Sequence, residues 1–213
     1  DIYARTHHKE VSVVLNAPSE ILLTSKVKIP EDIEVFMTGA PTLIYQGYLQ
    51  QGRGIEKLVE NADAITSLGL NILFMGSGNL AEIITKLSKN NDKVKLIPLM
   101  PRELYLAITK AASFGYSVIE PVSESDRLSL PNKVLEYIAC GLPVIVSDMP
   151  ELKTFIQTRR IGVVYNADED NLVTKCNELL LSYKEFRINA EKASSEAKWE
   201  NNQTTYLKAF FND

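Results

Sequence analysis

The 213-residue sequence contains few cysteines and histidines, the residues from which disulfide frameworks and zinc-type metal sites are built. Its two cysteines, Cys140 and Cys176, lie far apart without CxxC spacing, which predicts buried free thiols in a reducing cytoplasm. Its two histidines, His7 and His8, stand near the beginning of the sequence, where we expect surface positions. We therefore predict no disulfide and no metal site.

Long apolar runs and basic clusters are also missing. The apolar runs, such as residues 71–75 and 143–146, are far shorter than the ~20 residues that cross a bilayer, and no signal-peptide-like segment opens the sequence. A net charge of −4 without a basic stripe argues against long nucleic acids as partners, because their binding depends on Lys and Arg. A small phosphorylated ligand stays possible, and the composition is that of an ordinary globular protein.

Short apolar runs alternate with amphipathic stretches from residue 42 onward. The strands predicted from this pattern are residues 42–45, 71–75, 94–97, 117–119, 144–146 and 161–164. This alternation predicts an α/β fold, a Rossmann-like doubly wound parallel sheet of about six strands flanked by helices, with an all-helical C-terminal extension. Before it, Val11–Leu15 resembles a strand and is followed by a polar loop that we interpret as a connector.

Two glycine-containing loops follow the first two predicted strands, where parallel sheets bind ligands. The first, residues 47–54, combines glycines with Arg53 and is either a phosphate-binding loop or a flexible loop with a solvated arginine. The second begins Gly76-Ser-Gly78 and matches a dinucleotide fingerprint weakly. A nicotinamide site would also need an acidic residue after the next strand, where Pro98, Leu99 and Met100 stand instead, so we favour a turn near a phosphate-bearing ligand.

A third loop, from Glu120, leads into a predicted helix at Pro131–Cys140. The first N–H groups of a helix lack partners and its dipole favours anions, which suits a diphosphate. Helical spacing places Asn132, Lys133 and Glu136 on one side, with a cation near the phosphates and a carboxylate suited to ribose hydroxyls. The alternative is an exposed Lys133–Glu136 surface pair.

These loops, and above all residues 130–151, resemble the C-terminal domain of the retaining glycosyltransferases with the GT-B architecture. The resemblance implies a UDP- or GDP-linked sugar as substrate, with no further cofactor. It implies catalytic roles for Arg53 and Lys133, which would stabilise the departing diphosphate, and ribose binding by Glu136. The other donor-binding residues that we predict are Gly47, Gly76, Gly78, Leu99, Met100, Ser129, Leu130 and Asn132.

The sequence departs from this family at two positions. Leu128 stands eight residues before Glu136, where the family has a glutamate that contacts the donor sugar. Tyr48 stands where a second basic residue is usual. Acidic residues that could reach the same space as the missing glutamate are Glu120, Glu124 and Asp126.

The resemblance also predicts how the chain is organised. Residues 1–20 would be a crossover from a missing N-terminal, acceptor-binding domain, residues 21–197 the donor-binding domain, and residues 198–213 a crossover helix around Trp199. The parent enzyme would transfer sugar to a cell-surface glycan or lipid-linked precursor, in the cytoplasm or peripherally at a membrane, and the isolated chain would bind nucleotide weakly without catalysis. The alternatives are a nucleotide-sugar epimerase and a stand-alone nucleotide-binding module.

Overall fold

The computed structural model describes residues 12–120 and 124–211. The strands are β1 (Thr42–Gln46), β2 (Asn71–Met75), β3 (Val94–Ile97), β4 (Phe114–Ser117), β5 (Val144–Ser147) and β6 (Gly162–Tyr165). The helices before β4 are α1 (Glu20–Thr24), α2 (Glu31–Thr38), α3 (Ile55–Glu60), α4 (Ala62–Ser67), α5 (Ala81–Asn90) and α6 (Arg102–Ala111). Those after β4 are α7 (Glu124–Arg127), α8 (Asn132–Ala139), α9 (Pro150–Arg159), α10 (Leu172–Leu181), α11 (Tyr183–Ala193) and α12 (Trp199–Phe211).

All six strands form one parallel sheet in the order β3-β2-β1-β4-β5-β6. The chain builds outward from β1 to β3, then crosses to β4 on the other side of β1 and builds outward again. Helices cover both faces, so the predicted doubly wound sheet with a helical C-terminal extension is confirmed.

The two faces of the sheet carry separate apolar cores. Alternate residues along β1 point to opposite faces: Ile44 joins the core beneath α6, α8 and α9, whereas Leu43 and Tyr45 join the core beneath α3, α4 and α10. All five β1 residues are buried, as expected of a central strand covered on both sides. The residues at the end of β1 are therefore held rigidly by both cores.

The fourth strand lies earlier than the predicted residues 117–119, at Phe114–Ser117. Its register with β1 and β5 is set around Gly115, where a Cβ atom would collide with the ring of Tyr137. A glycine in a short strand weakens the sequence signal, yet here it makes room for an aromatic ring. Val118 and Ile119, which resembled a strand in sequence, are buried just beyond the strand's end.

The segment before β1 also differs from its prediction. Residue 11 lies outside the described residues, and Ser12–Leu15 form no strand; Leu15 N–H and the Pro18 carbonyl instead bond to Asn202 and Trp199 of α12. The following loop contains two helices, α1 and α2. The sequence contains a pattern typical of a helix start at α2, because Pro30 is followed by three acidic residues within one turn.

Both cysteines are free and buried, as predicted, and burial raises the pKa of each thiol to about 12. Their thiols therefore stay protonated at neutral pH. No helix in residues 12–120 or 124–211 is both long and apolar enough to span a bilayer.

Candidate functional site

The candidate site lies at the carboxyl ends of β1 and β4, where the direction of chain progression across the sheet reverses. Open α/β sheets bind ligands in the crevice at this switch point. The loop of residues 47–54 follows β1, and the loop that follows β4 leads into α8. Two of the three predicted ligand-binding loops thus meet at one place.

The loop after β1 is shaped by glycine and fixed to its neighbours. Gly54 adopts φ +71° at the start of α3, and a Cβ atom there would collide with the Val118 carbonyl. The Gly52 carbonyl accepts from Glu120 N–H at 3.0 Å, and Gly52 N–H donates to the Glu56 carboxylate at 3.3 Å. Arg53 is therefore presented from a defined loop between two constrained glycines, which argues against the flexible-loop alternative.

Gly76 and Gly78, the glycines of the weak dinucleotide match, support the loop after β1. A Cβ atom on Gly76 would collide with the Gly47 carbonyl, and one on Gly78 with the Leu49 carbonyl. Leu49 N–H donates to the Ser77 carbonyl at 2.9 Å, so the two loops are joined by backbone bonds. The need for glycine at both positions is explained by contact between protein backbones.

Helix α8 begins with Asn132 after Pro131, and no side chain caps its N-terminus. The N–H groups of the first turn have no intrahelical acceptors, except that Val134 N–H reaches the Pro131 carbonyl at 2.9 Å. The exposed Asn132 stands at this end, while Val134 and Leu135 are buried in the core. The geometry leaves donors available for an anion, with the dipole adding to their attraction.

Lys133 brings a cation to this helix end. Its Nζ lies 4.2 Å from the centre of the Tyr45 ring. The pKa of Lys133 is lowered to about 7 by burial and by the neighbouring charge of Arg53. The charge of Glu136 opposes this with a smaller effect. Within the described part of the chain, neither Lys133 nor Arg53 has an ion-pair or side-chain hydrogen-bond partner.

Glu136, one turn further along α8, is buried and surrounded by donors. Its Oε1 pairs with Arg102 Nη2 at 2.7 Å, and its Oε2 accepts from Gln46 Nε2 at 2.7 Å and from the Tyr105 hydroxyl at 2.8 Å. Only 9% of the Glu136 side chain is exposed. The alternative of an exposed Lys133–Glu136 surface pair is wrong, because Glu136 pairs with Arg102 inside the protein.

The sequence analysis missed Gln46, Arg102 and Tyr105, which hold Glu136. Gln46 was placed just beyond the first strand, although it is the strand's last residue and fully buried. Arg102 and Tyr105 lie three residues apart on α6, so helical spacing could have placed them on one face, but not opposite Glu136. Burial of the Tyr105 hydroxyl, together with the charge of Glu136 and the hydrogen bond to it, raises its pKa well above the ordinary value.

The other predicted site residues also follow the carboxyl ends of strands. Leu99 follows the edge strand β3 and is largely exposed, whereas Met100 and Leu130 are half-buried against the core beneath α8. Ser129, just before Leu130, is also half-buried. Tyr48 and Leu128, at the two positions that depart from the family, are both exposed on the loops after β1 and β4.

Of the three acidic residues considered as substitutes for the missing glutamate, Glu120 and Glu124 have side chains that the structure describes. Glu120 lines a cavity of about 830 Å³ over the ends of β4 to β6, together with Arg127 and Lys153, and this cavity contains none of the predicted donor-binding residues. Glu124 is exposed on α7, and the side chain of Asp126 lies outside the described residues.

An acidic triplet, Asp168–Asp170, has the spacing of some metal-binding motifs. Asp170 instead accepts from Asn166 N–H at 2.8 Å and lies 3.6 Å from Lys175 Nζ. Both oxygens of its carboxylate therefore have partners within the protein. Where the structure describes side chains, no three His, Cys, Asp or Glu residues are arranged to hold a metal ion. His7 and His8 lie outside the described residues.

The sequence matches the profile of the family described as glycosyl transferases group 1 over residues 40–182. A chitobiosyldiphosphodolichol beta-mannosyltransferase of Candida albicans is 24% identical over 143 residues, which are 63% of this chain and 30% of that relative. The chain thus spans less than a third of the mannosyltransferase.

Solved structures with the same fold belong to enzymes of sugar transfer and synthesis. Sucrose-phosphate synthase from Thermosynechococcus elongatus aligns with a TM-score of 0.67 and 19% identity over 98% of this chain and 55% of its own. WaaG, a glycosyltransferase involved in lipopolysaccharide biosynthesis, aligns with a TM-score of 0.63 and 15% identity over 99% of this chain and 60% of its own. The pneumococcal O-GlcNAc transferase GtfA, solved with UDP and GlcNAc, aligns with a TM-score of 0.62 and 18% identity over 79% of this chain and 35% of its own.

The matched segment contains the complete parallel sheet and the loops that form the candidate site. It begins just before β1 and ends after α10, so Arg53, Lys133 and Glu136 all lie within it. The fold, the switch-point site and the profile match agree that this chain belongs to the glycosyl transferases group 1 family.

Proposed function

We propose that this chain binds the nucleoside diphosphate part of a UDP- or GDP-linked sugar and serves as the donor-binding part of a glycosyltransferase. The observation that supports this most directly is the pair of unpartnered cations, Arg53 and Lys133, beside the uncapped N-terminus of α8. Two positive charges held together without an anion are costly, and a diphosphate would offset that cost.

In this proposal each part of the nucleotide has its own residues. The diphosphate lies at the start of α8, near Asn132, and is neutralised by Lys133 and Arg53. Glu136 accepts a hydrogen bond from ribose, and the backbone near Leu99 and Met100 contacts the base. Gly47, Ser129 and Leu130 line the site, whereas Gly76 and Gly78 act by supporting the loop after β1.

Catalysis would come mainly from stabilising the departing diphosphate as the bond to the sugar breaks. Arg53, Lys133 and the N–H groups of α8 face the oxygens on which negative charge develops, so their attraction grows towards the transition state. This requires neither a metal ion nor a cofactor besides the sugar donor. The profile match favours transfer over the epimerase alternative, which has no feature of its own in its support.

We further propose that the acceptor is bound by a domain outside these 213 residues. The chain covers 30% of the mannosyltransferase and 35–60% of the three aligned structures named above, which supports a longer parent protein. The acceptor would be a cell-surface glycan or lipid-linked precursor, used in the cytoplasm or at a membrane surface. Sugar transfer by the 213-residue chain alone would contradict this proposal, and with it the interpretation of residues 1–20 and 198–213 as crossover segments.

The test is calorimetric titration of the chain with UDP, GDP, ADP and NAD. We expect weak binding, tightest for UDP or GDP. Arg53→Met should weaken it by about tenfold, since one charge-assisted bond is lost, whereas Arg160→Met, at an exposed arginine on the far end of α9, should leave it unchanged. Binding of NAD more tightly than of every diphosphate would refute the assignment.

A further inference from the structure

The Glu136 carboxylate has a defined number of unused acceptor positions. Each carboxylate oxygen accepts about two hydrogen bonds. Oε2 receives two, from Gln46 Nε2 at 2.7 Å and from the Tyr105 hydroxyl at 2.8 Å, whereas Oε1 forms an ion pair with Arg102 Nη2 at 2.7 Å and accepts no hydrogen bond from the residues that the structure describes. The acceptor capacity left for a ligand is therefore on Oε1.

The donor from Gln46 is itself held in one orientation. Its amide oxygen lies 2.6 Å from the Thr109 hydroxyl, whose single proton is shared with the Tyr105 carbonyl oxygen at 2.8 Å, and its amide nitrogen must face Glu136, because a carboxylate only accepts. Gln46 and Thr109 are both fully buried, so neither can turn to water. A chain of bonds from Thr109 through Gln46 thus fixes one side of the carboxylate.

Arg102, the ion-pair partner of Glu136, differs from the two hydrogen-bond donors in exposure. The Tyr105 hydroxyl and Gln46 are enclosed in the core, but 43% of the Arg102 side chain is exposed. Its guanidinium also lies 5.1 Å from the centre of the Tyr105 ring. Oε1 therefore pairs with a partly exposed cation, and Oε2 is the oxygen anchored in the core.

We propose that Gln46, Thr109 and Tyr105 are positioning residues that anchor Oε2 of Glu136, so that the open position on Oε1 selects ribose over deoxyribose nucleotides. This inference rests on the proposed function, because it takes Glu136 as the group that meets the ribose. A ribose hydroxyl that meets a fixed charged acceptor forms a full hydrogen bond. A hydroxyl that meets a carboxylate free to rotate gains less binding free energy, because the carboxylate must first be ordered.

The experiment compares UDP with 2′,3′-dideoxy-UDP, and GDP with its dideoxy analogue, by calorimetry. The wild-type chain should prefer the ribose form by about tenfold or more, the value of a hydrogen bond to a charged group. Tyr105→Phe should reduce this preference by about threefold or more. Tyr183→Phe, which removes a tyrosine hydroxyl on α11, is the matched control and should keep the preference.

Thr109 supplies a second pair of variants in which the size of the side chain is nearly conserved. Thr109→Val removes the hydroxyl that orients the Gln46 amide and should reduce the ribose preference, whereas Thr109→Ser keeps the hydroxyl and should retain it. A preference that stays at the wild-type value in both Tyr105→Phe and Thr109→Val would overturn the positioning role. A wild-type chain without any ribose preference would instead overturn the proposed ribose contact of Glu136.

Discussion

On helix α8, Lys133 and Glu136 lie one turn apart but are held in opposite ways. The Glu136 carboxylate accepts two hydrogen bonds, from β1 and α6, and forms an ion pair with Arg102 of α6, so its charge is compensated before any ligand arrives. The Lys133 ammonium lies over the Tyr45 ring, and its burial together with the nearby charge of Arg53 lowers its pKa. The difference indicates that the charge of Glu136 is compensated within the fold, whereas that of Lys133 is not, as the proposed binding of a diphosphate requires.

The largest effect that this comparison predicts is on stability. Glu136→Ala leaves the buried Gln46 amide and Tyr105 hydroxyl without an acceptor, which should lower the free energy of unfolding by about 2–4 kcal/mol. Lys133→Met, which removes a poorly compensated charge, should leave it unchanged or raise it. Urea denaturation at pH 7 measures both. Equal losses in the two variants would contradict the comparison.

The next effect is on binding. Lys133→Met should weaken UDP and GDP binding by about 1.5–3 kcal/mol, because a charged hydrogen bond to the diphosphate is lost from a partly enclosed site. Lys89→Met, at an exposed lysine in the last turn of α5, is the control and should bind as the wild type does. Calorimetric titration of the three proteins distinguishes a specific contact from a general loss of positive charge.

A smaller effect is expected in the pH dependence of stability. The pKa of Lys133 is lowered to about 7 in the folded chain, below that of the unfolded chain, so between these values the unfolded state holds the additional proton. The free energy of unfolding should therefore rise with pH above 7, by on the order of 1 kcal/mol up to pH 9. In Lys133→Met this contribution should vanish. If the free energy of unfolding changed with pH equally in the wild type and the variant, the pKa of Lys133 would be the same in the folded and unfolded chains, contrary to this prediction.

The fold could be predicted from the sequence wherever an element has its own periodicity. The strands at 71–75 and 94–97 were predicted at their observed bounds, because each is a short apolar run between turn residues. The error at β4 came from Gly115, whose role depends on the Tyr137 ring more than twenty residues away. Local patterns do not contain such contacts.

The candidate site divides in the same way. The start of α8 and the spacing of Lys133 and Glu136 are properties of one helix. The sequence could therefore place Lys133 in its first turn and Glu136 one turn further along. The partners of Glu136 come from elsewhere: Gln46 is 90 residues away and Tyr105 is 31. The sequence therefore indicated which residue carries the carboxylate but not that it is buried and held.

The most direct test of the account separates the two halves of the nucleotide with two variants. Binding of UDP, UMP and 2′,3′-dideoxy-UDP, with the corresponding guanine nucleotides, would be measured for the wild type, Lys133→Met and Glu136→Ala. We predict that Lys133→Met loses the preference for diphosphate over monophosphate but keeps the preference for ribose, and that Glu136→Ala does the reverse. Loss of the same preference in both variants, or of neither, would contradict the account.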